Sequence, residues 1–107
     1  MAKTKYNQYT RKWELVGDDW ELQFIPYSNE WVFAPPGSCC RYNGYKKKWE
    51  MTPKVWKLKY NSYTSEWSFA PAEAAPIFNA YENRWEMACP EWTLEFDANN
   101  KEWKYVP

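Results

Sequence analysis

Tryptophan recurs every 18 residues along this chain, six times without interruption, and this period limits the possible folds more than any other feature. The six positions are Trp13, Trp31, Trp49, Trp67, Trp85 and Trp103. Another aromatic residue stands seven positions before each of them, at Tyr6, Phe24, Tyr42, Tyr60, Phe78 and Phe96. A short period that spans the whole chain predicts one small unit repeated in tandem. Tandem units of this kind commonly form extended surfaces for binding or assembly.

The residues around each tryptophan alternate between apolar and polar, as they do in β-strands. Trp20, Leu22 and Phe24 are separated by single polar residues, and equivalent triplets follow at 56–60 and 92–96. This spacing places the apolar side chains on one face of an extended strand. The abundance of aromatic residues, which favour strands, agrees with this interpretation and argues against helices.

A polar stretch between the two strands of each repeat carries the residues of a tight turn. The residues that can accept a hydrogen bond from the backbone two positions ahead are Asn7, Asn43, Asn61, Asn79 and Asp97. Asn29 and Asn83 stand later in their turns and can adopt the left-handed backbone that hairpins often need. Each repeat is therefore predicted to be a β-hairpin.

A second period of 36 residues groups the hairpins in pairs. It is carried by Trp20, Trp56 and Trp92 and by Glu14, Glu50 and Glu86. The segments 34–40 and 70–76 have the alanine- and proline-rich composition of loops. We expect one all-β domain, residues 1–107, with six 18-residue hairpins paired into three four-stranded blocks at about 1–36, 37–72 and 73–107. A β-prism-like pseudo-threefold closure is the preferred arrangement, and an open stack of hairpins and a small β-trefoil are the alternatives.

The composition indicates an aromatic core and an uneven surface charge. Aromatic residues make up 21% of the sequence, while its mean hydropathy is −0.91. An aromatic core within strands that keep one face in water accounts for both values. The formal net charge is zero, but residues 41–59 are mainly basic and residues 73–102 mainly acidic. A solvated surface of mixed charge is the preferred interpretation, and head-to-tail docking between neighbouring copies is the alternative.

Residue types that perform catalysis are scarce. There is no histidine, which removes the commonest general base and metal ligand. Cys39, Cys40 and Cys89 have no partner base and do not have the spacing of a zinc site. The three glycines form no phosphate-binding loop. The protein is therefore expected not to be an enzyme and to use neither a cofactor nor a metal.

The ends of the chain and its cysteines bear on where the protein works. The first residues lack the apolar segment of a secretory signal, and no segment approaches the ~20 apolar residues of a membrane helix. An odd number of cysteines without framework spacing fits a reducing compartment. We expect synthesis in the cytoplasm without a signal peptide, no membrane partner, and a virion or extracellular location only after lysis.

The turns carry the best candidates for binding residues. Exposed aromatic rings there would stack on sugars or anchor a protein partner, and the candidates are Tyr9, Tyr27, Tyr45, Tyr63 and Tyr81. Alternatively, each ring folds over its own hairpin and covers the tryptophan. Glu14, Glu50 and Glu86 would accept hydrogen bonds from sugar hydroxyls or pair with cross-strand Lys or Arg. Nucleic acid is not expected as a partner, because the net charge is zero although basic and aromatic residues interleave at 41–60.

Two protein families share parts of this pattern. The sequence Tyr-Asn-x-Tyr-Thr-x-x-Trp-Glu at 6–14, echoed at 42–50 and 78–86, resembles tandem aromatic hairpin repeats of bacteriophage virion proteins. Three four-stranded blocks resemble β-prism lectins, although the Gln-x-Asp-x-Asn-x-Val-x-Tyr motif of the monocot group is absent. The first resemblance implies a capsid-decoration or tail-associated protein with other protein subunits as partners. The second implies the alternative function, a carbohydrate-binding lectin with up to three equivalent sites for glycans.

Overall fold

A computed structural model describes residues 2–107, which fold into twelve β-strands. The strands are β1 (Ala2–Asn7), β2 (Lys12–Gly17), β3 (Glu21–Ile25), β4 (Glu30–Ala34), β5 (Ser38–Asn43), β6 (Lys48–Pro53), β7 (Lys57–Asn61), β8 (Glu66–Ala70), β9 (Ala75–Asn79), β10 (Arg84–Ala88), β11 (Thr93–Asp97) and β12 (Glu102–Val106). Each odd-numbered strand pairs antiparallel with the strand that follows it, which gives hairpins one to six. The prediction of an all-β fold of six hairpins is confirmed. These residues contain no helix, and hence none long and apolar enough to cross a membrane.

The register of each hairpin places its two repeated aromatic residues opposite each other. Tyr6 pairs with Trp13 in hairpin one, and equivalent pairs occur in the other five. The ring centroids of Tyr6 and Trp13 are 5.2 Å apart, and the ring planes are inclined by 50°. Because alternate residues of a strand point to opposite faces, these rings share one face, while Asn7 and Glu14 lie on the other.

The turns have the conformations that their residues predict. Oδ1 of Asn7 accepts hydrogen bonds from the backbone N–H groups of Tyr9 and Thr10, at 3.0 and 3.2 Å. Asx-turn bonds also occur at Asn43, Asn61, Asn79 and Asp97. The backbone of Asn29 and Asn83 is left-handed, as predicted, with φ of 57° and 56°. The same position is left-handed in the other four hairpins, at Arg11, Lys47, Ser65 and Lys101.

The two predicted loops are shorter than their composition indicated. The segment 34–40 is partly a strand, because β5 already begins at Ser38. Cys40 is therefore a strand residue. The segment 70–76 is shortened in the same way, since β9 begins at Ala75. Composition misled here because pairing with a regular antiparallel neighbour outweighs the weak strand preference of Ala, Ser and Pro.

The first and the last hairpin are in contact, so the six hairpins form a closed ring. β12 packs against β2, and Nδ2 of Asn100 donates a hydrogen bond of 3.0 Å to the carbonyl oxygen of Trp13. Contacts between successive hairpins continue around the ring, from β1 with β4 to β10 with β12. The molecule measures 33 × 32 × 20 Å, which are the proportions of a disc. The chain is therefore not an open stack.

The six hairpins remain separate two-stranded sheets. The expected blocks are accordingly pairs of hairpins rather than continuous four-stranded sheets of a β-prism, because neighbouring hairpins meet through side chains and not through backbone pairing. Trp56 lies between Trp20 and Trp92, with ring centroids 6.5 and 6.3 Å away. These three tryptophans lie just before β3, β7 and β11, the first strands of hairpins two, four and six. Side chains of alternate hairpins meet only near the ring axis. This cluster is the structural counterpart of the 36-residue period.

Within residues 2–107 the most buried layer is made of aliphatic and polar side chains rather than aromatic rings. Each hairpin buries a residue in the last two positions of its second strand, namely Val16, Ala34, Thr52, Ala70, Ala88 and Val106, and hairpin one also buries Leu15 and Gly17. Each hairpin also buries the residue that ends its first strand, namely Asn7, Ile25, Asn43, Asn61, Asn79 and Asp97. The prediction of an aromatic core is therefore wrong for this layer. Since each sheet has only two strands, its large rings reach the outer surface of the ring and stay partly in water.

Candidate functional site

Each of the five turn tyrosines stacks on the tryptophan of the next hairpin. The ring of Tyr9 lies parallel to that of Trp31, with centroids 4.3 Å apart and planes inclined by 10°. The other stacks are Tyr27 on Trp49, Tyr45 on Trp67, Tyr63 on Trp85 and Tyr81 on Trp103, at 4.0, 4.3, 3.8 and 4.1 Å. The tyrosines thus cover a neighbouring hairpin, in contrast to the alternative in which each covers its own.

The same tyrosines keep more than half of their surface in water. Their exposed fractions range from 51% for Tyr9 to 65% for Tyr27. The stack fixes the orientation of each ring without burying it, so a ligand would meet an aromatic surface that is already ordered. We call this set the aromatic rim, and it consists of Tyr9, Tyr27, Tyr45, Tyr63 and Tyr81.

The junction between hairpins six and one, called the seam here, breaks this pattern. Asn99 stands at the position of the turn tyrosine, and Trp13 is 48% exposed, whereas the other five repeated tryptophans are partly buried. Among residues 2–107, the aromatic ring in contact with the Trp13 indole is that of Tyr6. Sequence reasoning missed Trp13 as a site residue. The signal that identifies it is the asparagine in the sixth turn, which stands where the other five turns have tyrosine.

Buried asparagines connect successive hairpins. Nδ2 of Asn7 donates a hydrogen bond of 3.0 Å to the carbonyl oxygen of Trp31 in the next hairpin. The same bond joins Asn43 to Trp67, Asn61 to Trp85 and Asn79 to Trp103, at 3.0, 3.2 and 2.9 Å. Because Oδ1 is bonded within the turn and Nδ2 to the next hairpin, each amide positions the tyrosine and the tryptophan of one stack relative to each other.

The predicted site residues Glu14, Glu50 and Glu86 lie beside these asparagines. Oε2 of Glu86 accepts hydrogen bonds from Nδ2 of Asn79 and from Nε of Arg84, each 2.9 Å long. Glu14 and Glu50 accept longer bonds from the equivalent asparagines of their own hairpins, at 3.4 and 3.3 Å. Within residues 2–107, the second oxygen of each carboxylate makes no hydrogen bond. One oxygen is therefore structural, and the other can receive a ligand.

At the seam, Asn100 supplies the amide donor that Asp97 lacks. Nδ2 of Asn100 donates to the carbonyl oxygen of Trp13 and, at 2.8 Å, to Oδ2 of Asp97. Oδ1 of Asp97 accepts hydrogen bonds from the backbone N–H groups of Asn99 and Asn100. Burial on its own raises the pKa of Asp97, but the hydrogen bonds from Asn100 and Asn99 outweigh it and hold the pKa below the ordinary 3.8. The carboxylate is therefore ionised at neutral pH and fixes this turn.

Two clefts open between hairpins at equivalent places. The cleft between hairpins two and three has a volume of about 290 Å³, and the one between hairpins four and five about 320 Å³. Each is bounded by one indole, two carboxylates and one basic side chain, which are Trp49, Glu30, Glu50 and Lys48 in the first and Trp85, Glu66, Glu86 and Arg84 in the second. Each residue of the second set lies 36 positions after its counterpart in the first set. The same period places Trp13, Glu102, Glu14 and Lys12 at the seam.

The three cysteines are free thiols. Cys89 lies close to Glu73 and Glu91, with the ligand atoms of all three within 4.8 Å of one another. Burial raises the pKa of the Cys89 thiol, and the carboxylates of Glu91 and Glu73 raise it further. Because metal binding requires the thiolate, these neighbours favour a packing role for Cys89. Cys39 and Cys40 are partly buried.

Part of the basic charge serves the links between hairpins. Nζ of Lys5 donates hydrogen bonds to the carbonyl oxygens of Asp18 and Trp20, at 2.8 and 2.6 Å. Arg41 and Lys59 bind the carbonyl groups of the links that follow their own hairpins in the same way. These bonds direct positive charge at the backbone of the ring, which leaves less of it for the phosphates of a nucleic acid.

Comparison with known protein families, with curated proteins and with solved structures finds no match to this chain. The resemblances to virion repeats and to β-prism lectins therefore stay predictions.

Proposed function

We propose that the protein is a non-enzymatic carbohydrate-binding protein whose sites lie between neighbouring hairpins. The observation that carries this proposal is the chemical equivalence of the two clefts. One indole, two carboxylates and one basic side chain recur together after 36 residues. The recurrence makes this lining a property of the 36-residue repeat, as expected for a protein with several equivalent ligand sites.

The groups at each cleft suit the two sides of a sugar ring. The C–H groups on the faces of a pyranose pack against aromatic rings, and its hydroxyl groups both donate and accept hydrogen bonds. Tyr63 stands beside the cleft between hairpins four and five through its stack on Trp85. Glu86 offers its second carboxylate oxygen, and Arg84 offers donors. Pockets for small molecules span about 300–1,000 Å³, so clefts of about 290 and 320 Å³ lie at the lower end of that range and suit a single sugar unit.

The aromatic rim supports the same function. Rings that are ordered before binding lose little conformational entropy when a ligand arrives. Tyr27 and Tyr63 each belong to a stack at one of the clefts, and both are at least 60% exposed. Each of them stacks on the tryptophan that lines its cleft, so they are the members of the rim placed to extend the aromatic surface of a cleft.

Titration with neutral methyl glycosides and short oligosaccharides, followed by tryptophan fluorescence and calorimetry, tests the proposal. The informative variant combines Tyr27→Ala with Tyr63→Ala and removes the exposed ring beside each cleft. Loss of one aromatic contact per site should lower the affinity about tenfold, which corresponds to about 1.4 kcal/mol.

The matched control combines Tyr45→Ala with Tyr81→Ala, which removes two stacks of the same geometry that the 36-residue period does not place at the clefts. This control should retain the affinity of the wild type. An equal loss in both double variants would assign the effect to the stability of the ring rather than to the clefts. A wild-type protein that responds to no saccharide in the panel would refute the proposal.

We propose as a second candidate a structural protein that assembles with copies of itself or with a virion surface, and the charge distribution favours it. Lys46, Lys47 and Lys48 are exposed in the turn of hairpin three, and Glu73 and Glu91 are exposed in the links that flank hairpin five. Docking of the basic side of one disc on the acidic side of the next would produce an ordered array.

Sedimentation velocity at low and high salt tests the second candidate. Assemblies that form at low salt and dissociate at high salt are expected, because salt screens exposed charges. Replacing Lys46, Lys47 and Lys48 by Glu should abolish them. A monomer under both conditions, combined with absence from purified particles in mass spectrometry, would contradict the assembly role.

A further inference from the structure

We infer that the seam holds a saccharide site of its own, in which a pyranose ring stacks on the uncovered indole of Trp13. The inference rests on the proposed carbohydrate-binding function and assigns it to one particular surface. At the other five junctions a tyrosine ring occupies the face of the tryptophan at 3.8–4.3 Å. At the seam Asn99 leaves that place open, and a ligand ring of similar size can take it.

Trp13 has an exposed indole on a backbone that is held in position at the seam. Its backbone carbonyl accepts the hydrogen bond from Asn100 that closes the ring, and Tyr6 contacts its ring within the same hairpin. With 48% of its surface in water, Trp13 is the most exposed of the six repeated tryptophans. An exposed indole that already contacts a neighbouring ring has fewer orientations to lose when a ligand binds.

The polar groups at the seam favour a neutral hydroxylated ligand. Lys12, Glu14 and Glu102 have the sequence positions that the basic and acidic residues have at the two clefts. Hydroxyl groups satisfy such a mixed set, whereas a phosphate or a carboxylate would be repelled by the two glutamates.

The seam should also be the tightest of the three equivalent positions. At the clefts, Tyr27 and Tyr63 already occupy one face of Trp49 and Trp85, so a sugar meets the smaller tyrosine ring or an indole edge. At the seam the larger indole face itself is available. Saccharides are therefore expected to reach Trp13 at lower concentrations than the clefts.

NMR of the full-length protein labelled with nitrogen-15 tests this inference. The nine indole N–H signals are followed while methyl glycosides of glucose, galactose, mannose and N-acetylglucosamine are added, and the Trp13 signal is identified with Trp13→Phe. We expect this signal to shift first, before those of Trp49 and Trp85. Asn99→Tyr restores the missing stack, so it should abolish the Trp13 shift, preserve the shifts at the clefts and raise the melting temperature.

The matched control is Asn99→Ala, which leaves the indole uncovered and should keep the Trp13 response. If Asn99→Tyr does not fold, Trp13→Leu, which removes the indole face, should abolish the tightest binding. A Trp13 shift that persists in Asn99→Tyr, or saccharide shifts confined to Trp49 and Trp85, would overturn the seam site and leave the proposed function standing. If no saccharide shifts any signal, the proposed function fails and the seam site fails with it.

Discussion

The side-chain amide of Asn100 donates a hydrogen bond to the carbonyl oxygen of Trp13, 87 residues away in the sequence. At four other junctions the equivalent bond comes from the buried asparagine at the end of the first strand. In hairpin six that position is Asp97, which has no amide donor. The donor is instead the side-chain amide of Asn100, three residues further along the chain. Closure of the ring therefore depends on a different residue from the one that joins the other hairpins.

Asn100→Ala should lower the free energy of unfolding by about 1–2 kcal/mol, because it removes hydrogen bonds to Trp13 and Asp97 that contribute about 0.5–1.5 kcal/mol each. Urea denaturation should show a lower midpoint. Asn99→Ala is the matched control, since it alters the neighbouring exposed asparagine, and it should change stability by less than about 0.5 kcal/mol. Equal effects of the two substitutions would contradict the role of Asn100.

Asn43→Ala should cost about 3 kcal/mol. The side chain is buried, and its loss leaves two turn N–H groups and the carbonyl oxygen of Trp67 without their partner. A buried group without a partner costs about 1–3 kcal/mol. Ser62→Ala, at an exposed turn position, should be neutral in the same urea titration. A midpoint for Asn43→Ala that equals the midpoint of Ser62→Ala would rule out the buried amide as a connection between hairpins.

The stability of the protein should depend on the ionisation of Asp97. The pKa of its carboxyl is lower in the folded protein than its ordinary value of 3.8. The stabilisation is therefore complete above that value and is lost as the pH falls through the lower folded value. Between about pH 5 and pH 2 the wild type should lose more stability than Asp97→Asn, which has no titrating group here. Parallel pH profiles of the two proteins would contradict this prediction.

Gly17 should not tolerate a side chain, whereas Gly44 should. A Cβ atom on Gly17 would lie 2.5 Å from Cδ1 of Trp20, whose indole packs near the ring axis. A Cβ on Gly44 would meet nothing within 4 Å. We expect Gly17→Ala to cost about 1–3 kcal/mol through overpacking and Gly44→Ala to be neutral or slightly stabilising. Thermal unfolding of the two variants compares them directly, and equal melting temperatures would refute the central packing.

Asn7 and Tyr6 illustrate what local sequence could predict. An Asx-turn depends on a side chain and the backbone two or three residues ahead, so the type of residue at position 7 was sufficient. The alternation that leads to the pairing of Tyr6 with Trp13 is also local, because the side-chain period of a strand is two. The Asx-turns and the alternation follow from the repeat alone, whereas the register that pairs Tyr6 with Trp13 is a finding of the structure.

Tyr9 and Trp13 illustrate what the local sequence could not predict. The stack of Tyr9 on Trp31 depends on how one hairpin packs on the next, and no periodicity within a hairpin specifies that packing. The exposure of Trp13 depends in turn on a ring that closes, which brings Asn99 and Trp13 together from opposite ends of the chain. The substitution at position 99 is visible in the sequence, but its consequence appears only once the partner of each turn tyrosine is known.

The closed ring with its open seam is tested most directly by nuclear Overhauser contacts across the seam. The side-chain amide of Asn79 is bonded to the carbonyl oxygen of Trp103 at 2.9 Å. This pair of residues serves as the internal reference for the pair at the seam, Asn100 and Trp13. A closed ring predicts contacts from both amides to the residues around the tryptophan carbonyl that each one binds. Contacts for Asn79 with Trp103, but none for Asn100 with Trp13, would show an open row of hairpins and contradict the closure.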